Sequence, residues 1–135
     1  MLRPGVSALR LSFAVATILL AAFIAYQSTR PLGDPTVPVL KSWLSYAGHL
    51  GVYAALAFCA HTSVWRHDWT GFAVAVLGCS LFGLALEVYQ GSIEGRASTP
   101  VDALSNIVGS MLGAGLAHIS QLAADRLLTV QDVQP

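Results

Sequence analysis

Apolar residues fall into four blocks along the chain, Leu9 to Tyr26, Leu44 to Val64, Trp69 to Tyr89 and Val101 to Ala124, parted by short polar segments. Each block is close to the roughly 20 residues that cross a hydrocarbon core about 30 Å thick. Lipid offers no partner to an exposed amide, and no strand-length alternation suggests a closed barrel, so each block is expected to be a helix. The pattern therefore predicts an all-α membrane bundle of four transmembrane helices.

The segments between the blocks suit that division. Residues 28–39 hold Pro31, Pro35 and Pro38 and cannot be helical throughout. Arg66-His67-Asp68 reads as a tight polar turn, flanked by Trp65 and Trp69 at the level where indoles sit in a bilayer. The first block follows Arg3 and Arg10 as a signal peptide would, but no A-x-A site follows near Tyr26 and three more blocks come after. It is read as an uncleaved anchor.

Composition strengthens the membrane reading. Over 135 residues, 55% are hydrophobic and 10% charged, whereas a soluble domain carries charge on about a quarter of its positions. The length suits one domain, spanning 1–135. Zero formal net charge gives nucleic acid no basic patch to bind. Cys59 and Cys79 sit singly inside apolar blocks and read as packing residues. With the N-terminus inside, Arg3, Arg10, Arg66 and Arg126 face the cytoplasm, against Arg30, Lys41 and Arg96 outside. That bias places both termini in the cytoplasm of a multi-pass inner-membrane protein.

Against so apolar a background the charges between the last two blocks stand out. Glu87, Arg96 and Asp102 lie where the third helix ends and the fourth begins, and a charge at the edge of a membrane core is costly unless paired or wet. The topology brings Lys41, Tyr46, His49 and Tyr53 to the same outer face, with Gln90 closing the third helix and Asn106 opening the fourth. At about 100° per residue, Tyr46, His49 and Tyr53 share roughly 60° of arc, and Ser80, Gly83, Glu87 and Gln90 share roughly 80°. Asp102, Asn106, Gly109, Gly113 and Ala117 also share roughly 80°, and the small residues form a ridge that admits a neighbouring helix, either in the same chain or in a second copy.

Lys41-Ser-Trp-Leu-Ser-Tyr46-Ala-Gly-His49 with Tyr53, then Glu87 and Gln90, then Arg96, Asp102, Asn106, Gly109 and Gly113, resembles the VanZ-like membrane protein family in both residues and order. The resemblance covers the chain from the first block to the fourth. It implies a small integral membrane protein, linked in its founding member to teicoplanin resistance, and brings no agreed enzymatic mechanism.

Two readings of the charged trio are open. One is a ligand or catalytic site at the outer membrane surface; the other is an interhelical brace built on Arg96. As a ligand site, Arg96 and Gln90 hold polar groups, Glu87 and Asp102 orient Arg96, Tyr46 and Tyr53 line the wall, and Lys41 and Asn106 complete it. The partner is then a membrane lipid, a lipid-linked cell-wall precursor or a glycopeptide. As an enzyme, His49, Glu87 or Asp102 supplies the acid or base for a lipid-linked substrate. A proton-coupled carrier using Glu87 and His49 ranks behind both, because carriers show broken helices and midplane charges. No cofactor is expected, and neither HExxH nor paired-His spacing indicates a metal. His61, His67 and His118 read as bland, the last turned away from Asp102.

Overall fold

In the computed structural model, residues 4–29, 40–64, 68–93 and 99–131 are described, with side chains from 7–29, 46–64, 68–93 and 99–126. They form four helices in chain order: α1 (Pro4–Thr29), α2 (Leu40–Ser63), α3 (Trp69–Gln90) and α4 (Pro100–Gln131). Every expected block is helical apart from Val64, which lies just past the end of α2, and elsewhere the helices reach or overrun the block ends. α1 carries on through Ser28 and Thr29, and α4 continues past Asp125, because the apolar run limits the membrane-crossing part and not the backbone hydrogen bonding.

The ends have local causes. The Asp68 carboxylate accepts the Gly71 N–H at 2.9 Å and caps α3. Gly91 ends the helix, its N–H returning to the Glu87 carbonyl. At the start of α4, Pro100 takes the first-turn position where its missing N–H costs nothing. Hydroxyls inside the helices bond back to their own backbone, as in Thr17 to the Phe13 carbonyl and Ser110 to the Asn106 carbonyl, both 2.8 Å. Such bonds let a polar side chain sit in an apolar surrounding.

Helix directions follow from which residues meet. His49 reaches Asn106, and Gly109 and Gly113 of α4 press on Leu50 and Ala54 of α2, so these two helices run parallel. Glu87 faces His49 while Gly83 faces Tyr53, so α3 runs antiparallel to α2. Phe13 of α1 packs edge-on against Phe58 of α2, ring centroids 6.0 Å apart. Were those two helices parallel, Thr29 and Leu40 would lie roughly 50 Å apart, beyond the roughly 40 Å that the connecting residues can reach. The four helices therefore alternate in direction. α2 packs on each of the other three, most extensively on α4.

The buried positions step by four. On α2 they include Tyr53, Ala57 and His61; on α3 Gly71, Ala75, Cys79, Gly83 and Glu87; on α4 Asp102, Asn106, Ser110, Ala114 and His118. Rows of this step are the ridges that interlock when helices pack ridge into groove. Beside the α4 row runs a second one, Gly109, Gly113 and Ala117, all buried. A methyl group at Gly109 or Gly113 would strike the α2 backbone at Leu50 or Ala54. The ridge is thus filled within the chain. The expected homo-oligomer through the Gly109/Gly113 face has no free surface there, since α2 of the same chain covers both glycines.

Polarity is inverted relative to a water-soluble bundle. His61 and Ser110 are 0% exposed and Asn106 1%, whereas Val88 is 71% exposed, Leu81 64% and Leu116 63%. Large apolar side chains face outward all along α1, α3 and α4, a surface suited to hydrocarbon. Three helices are long and apolar enough to cross a bilayer, namely Ser7–Thr29, Trp69–Gln90 and Pro100–Arg126. They mark a multi-pass membrane protein in contact with lipid. α2 is not among them: His49 and His61 interrupt its apolar run, and the bundle turns both toward its neighbours.

Because the obstacle at Gly113 is main chain, it cannot swing aside. Gly113→Leu should lower the melting temperature in detergent by the equivalent of about 1–3 kcal/mol or more and reduce membrane accumulation. Gly115→Leu, at a position with open space around it, should do neither. Equal behaviour of the two variants would contradict the packing.

Candidate functional site

The site is assembled at the end of the bundle where α3 finishes and α4 begins. Tyr53 sets its floor. The phenol ring lies across Gly83, where an added Cβ would come within 2.8 Å of the ring, so the absence of a side chain on α3 makes room for the aromatic on α2. One turn nearer the helix end, His49 of α2 meets Asn106 of α4 and Glu87 of α3. Its Nδ1 lies 2.9 Å from Asn106 Oδ1 and 3.7 Å from Glu87 Oε1.

Two oxygens facing Nδ1 require that nitrogen to carry the proton and donate it to Asn106. In a neutral ring the lone pair is then left on Nε2. Glu87 is 3% exposed and stands four residues above Gly83 on the buried row of α3. Gln90, also buried, closes that face one turn later. Tyr46 sits partly exposed, one turn before His49.

Asp102 has a local duty. The Thr99 hydroxyl donates to Asp102 Oδ2 at 2.6 Å, and the Asp102 backbone N–H donates to Thr99 Oγ at 3.2 Å. This reciprocal pair closes the first turn of α4, at the helix end that favours a carboxylate. The other oxygen, Oδ1, is buried and makes no hydrogen bond among the described residues, as does Asn106 Nδ2. One carboxylate oxygen therefore holds the Thr99 hydroxyl that caps the helix, and the other faces no hydrogen-bond partner among the described residues.

Of the residues expected here, His49, Tyr53, Glu87, Gln90, Asp102 and Asn106 come together at one end of the bundle, with Tyr46 beside them. Lys41 lies on α2 with its side chain outside the described residues, and Arg96 lies outside them altogether. Among the described residues, no three His, Cys, Asp or Glu groups converge as metal ligands.

Sequence reasoning passed over a second pair. His61 of α2 and His118 of α4, read as bland, are both buried with ring centroids 5.5 Å apart. The sequence held a signal for it. His49 and Asn106 lie 57 residues apart, and so do His61 and His118, which is what two parallel helices in constant register require. Projecting each helix at 100° per residue hid the relation, because a row stepping by four drifts steadily around the helix axis.

No protein-family model, curated protein or solved structure matches the chain, so its function has to be argued from its own residues.

The His49–Asn106 bond is the polar tie between the two parallel helices, and interhelical hydrogen bonds in membrane bundles average about 0.6 kcal/mol with a maximum near 1.7. A double-mutant cycle of His49→Ala and Asn106→Ala, followed by unfolding in detergent, should give a coupling of about 0.5–1.5 kcal/mol. Zero coupling would show that the two side chains do not interact.

Proposed function

We propose that the chain is a VanZ-like protein of the cell envelope, with four spans and both termini in the cytoplasm, residing in the inner membrane. The pocket at the outer ends of α2, α3 and α4 binds the polar part of an envelope lipid, a glycan precursor or a teicoplanin-like glycopeptide. One observation carries this reading. His49, Glu87 and Asn106, from three different helices, converge, with Asn106 Oδ1 2.9 Å and Glu87 Oε1 3.7 Å from His49 Nδ1, at the end of a bundle whose outward face is apolar. Polar groups so placed at a bilayer edge suit a ligand with a polar head and an apolar body. Gln90 and the free oxygen of Asp102 supply further contacts, Arg96 and Lys41 hold anionic or carbonyl groups at the mouth, and Tyr46 and Tyr53 form the wall.

α2 is the fourth span in this arrangement. Its polar residues are compatible with a bilayer because the other helices shelter them, while Ala47, Leu50, Gly51 and Ala55 present the outward side. The runner-up is a membrane-embedded enzyme acting on a lipid-linked substrate. The His49–Glu87 approach favours it, since a carboxylate beside an imidazole is a pairing that general acid–base chemistry uses.

The test is protection. A teicoplanin-susceptible host making the wild-type chain should tolerate severalfold more teicoplanin than the same host with an empty vector. Glu87→Gln keeps the shape of the side chain and cannot ionise. With equal membrane accumulation, it should retain part of the protection if the site binds, and almost none if Glu87 and His49 perform acid–base chemistry. No protection from the wild type, at confirmed accumulation, would remove the glycopeptide reading.

A further inference from the structure

The His61–His118 pair lies twelve residues beyond the His49–Asn106 contact on both helices, roughly 18 Å along the bundle. It is thus a separate feature from the outer pocket. Neither ring is at the surface: His61 is 0% and His118 8% exposed. A bland core histidine is satisfied by a hydrogen bond, yet His118 Nδ1 is buried and makes none among the described residues. A buried polar atom left so is costly unless something not yet counted engages it.

The surroundings restrict what that could be. Trp69 and Phe72, from the first turn of α3, pack against His118 with ring centroids at 5.1 and 6.1 Å. His118 is therefore flanked by aromatic carbon on the side facing α3. Two imidazoles bonded through nitrogen to one ion at about 2 Å each place their centroids roughly 6 Å apart when the ion is near-linear, and closer as the angle at the ion bends. The observed separation is 5.5 Å. Zinc in a closed site takes four ligands, and a dication in an apolar surrounding needs carboxylate or thiolate to offset its charge. No third His, Cys, Asp or Glu ligand joins the pair among the described residues. A soft monovalent d10 ion is content with two neutral nitrogens, carries half the charge to be buried, and gains from neighbouring aromatic faces.

We propose that His61 and His118 form a two-histidine site for a monovalent soft metal ion, copper(I) or silver(I), held between α2 and α4 and closed over by Trp69 and Phe72. Binding needs no redox step, since the ion enters and leaves in the same oxidation state. The site also ties the far ends of the two parallel helices as the His49–Asn106 bond ties the near ends.

The experiment uses the full chain purified in detergent, under anaerobic reducing conditions, with copper(I) presented as its bicinchoninate complex. The wild type should withdraw about one copper(I) per chain, and zinc(II) at the same concentration should not compete. His118→Gln should withdraw less than a tenth as much, whereas His67→Gln, which removes a histidine outside the pair, should match the wild type. X-ray absorption on the loaded wild type should report two or three light-atom neighbours with imidazole scattering, a readout that stands even if His118→Gln fails to accumulate. No copper uptake by the wild type overturns the proposal. So does uptake unchanged in His118→Gln, or an absorption spectrum dominated by sulfur, which would move the ion to Cys59 or Cys79.

Discussion

Backbone contact between α2 and α4 is the constraint on which the rest of the structure depends. Where Gly109 and Gly113 lack side chains, the α2 main chain at Leu50 and Ala54 fills the space, and a methyl group at either position would collide with it. Lipid is as apolar as a leucine side chain, so burying leucines gives membrane helices little reason to associate; close packing and interhelical hydrogen bonds must supply it. At this separation His49 can reach Asn106, Gly83 can receive the Tyr53 ring, and Glu87 arrives beside the imidazole. Push α2 and α4 apart by the thickness of a side chain and the His49–Asn106 bond is lost.

The same constraint explains the inverted interior. The seam between α2, α3 and α4 is lined by glycine, alanine and serine through its middle and carries its polar groups toward the ends. Histidine, carboxylate and amide gather at one end and two histidines at the other, while leucine, isoleucine and valine face outward. α2 can then carry two histidines along its length and still be the one all the others touch. His49 among its polar side chains is met by Asn106 of α4 and Glu87 of α3. At Asp102 one carboxylate oxygen holds the Thr99 hydroxyl that caps α4, and the other is buried without a hydrogen bond among the described residues.

Much of this was legible from residue order. Blocks of apolar length gave four helices, because a bilayer admits few alternatives for backbone hydrogen bonding. The convergence of His49, Tyr53, Glu87, Gln90, Asp102 and Asn106 followed from alternating helix direction and shared faces. What residue order left open was which helix the small-residue ridge serves, since a glycine row announces close approach without naming the partner. The helix ends at Pro4, Thr29 and Gln131 were also hidden, because hydropathy tracks solvent while helix bounds track hydrogen bonding and caps. His61 and His118 escaped for a geometric reason. The buried rows step by four residues and drift around each axis, so a face defined at Asp102 no longer points the same way at His118.

The central claim is that α2 and α4 run parallel in contact, with His49 against Asn106. Asn106 is the only asparagine in the chain, so an isotopic label on asparagine marks one site. Solid-state NMR dipolar recoupling on protein in lipid bilayers, with 15N in histidine rings and 13C in the asparagine side chain, reads the distance directly. The account predicts strong dephasing of a single histidine Nδ1, corresponding to roughly 4 Å or less to the amide carbon given ordinary hydrogen-bond geometry, and its disappearance in His49→Gln. Dephasing absent from every histidine, in protein shown to be folded, would contradict the arrangement and the pocket built on it.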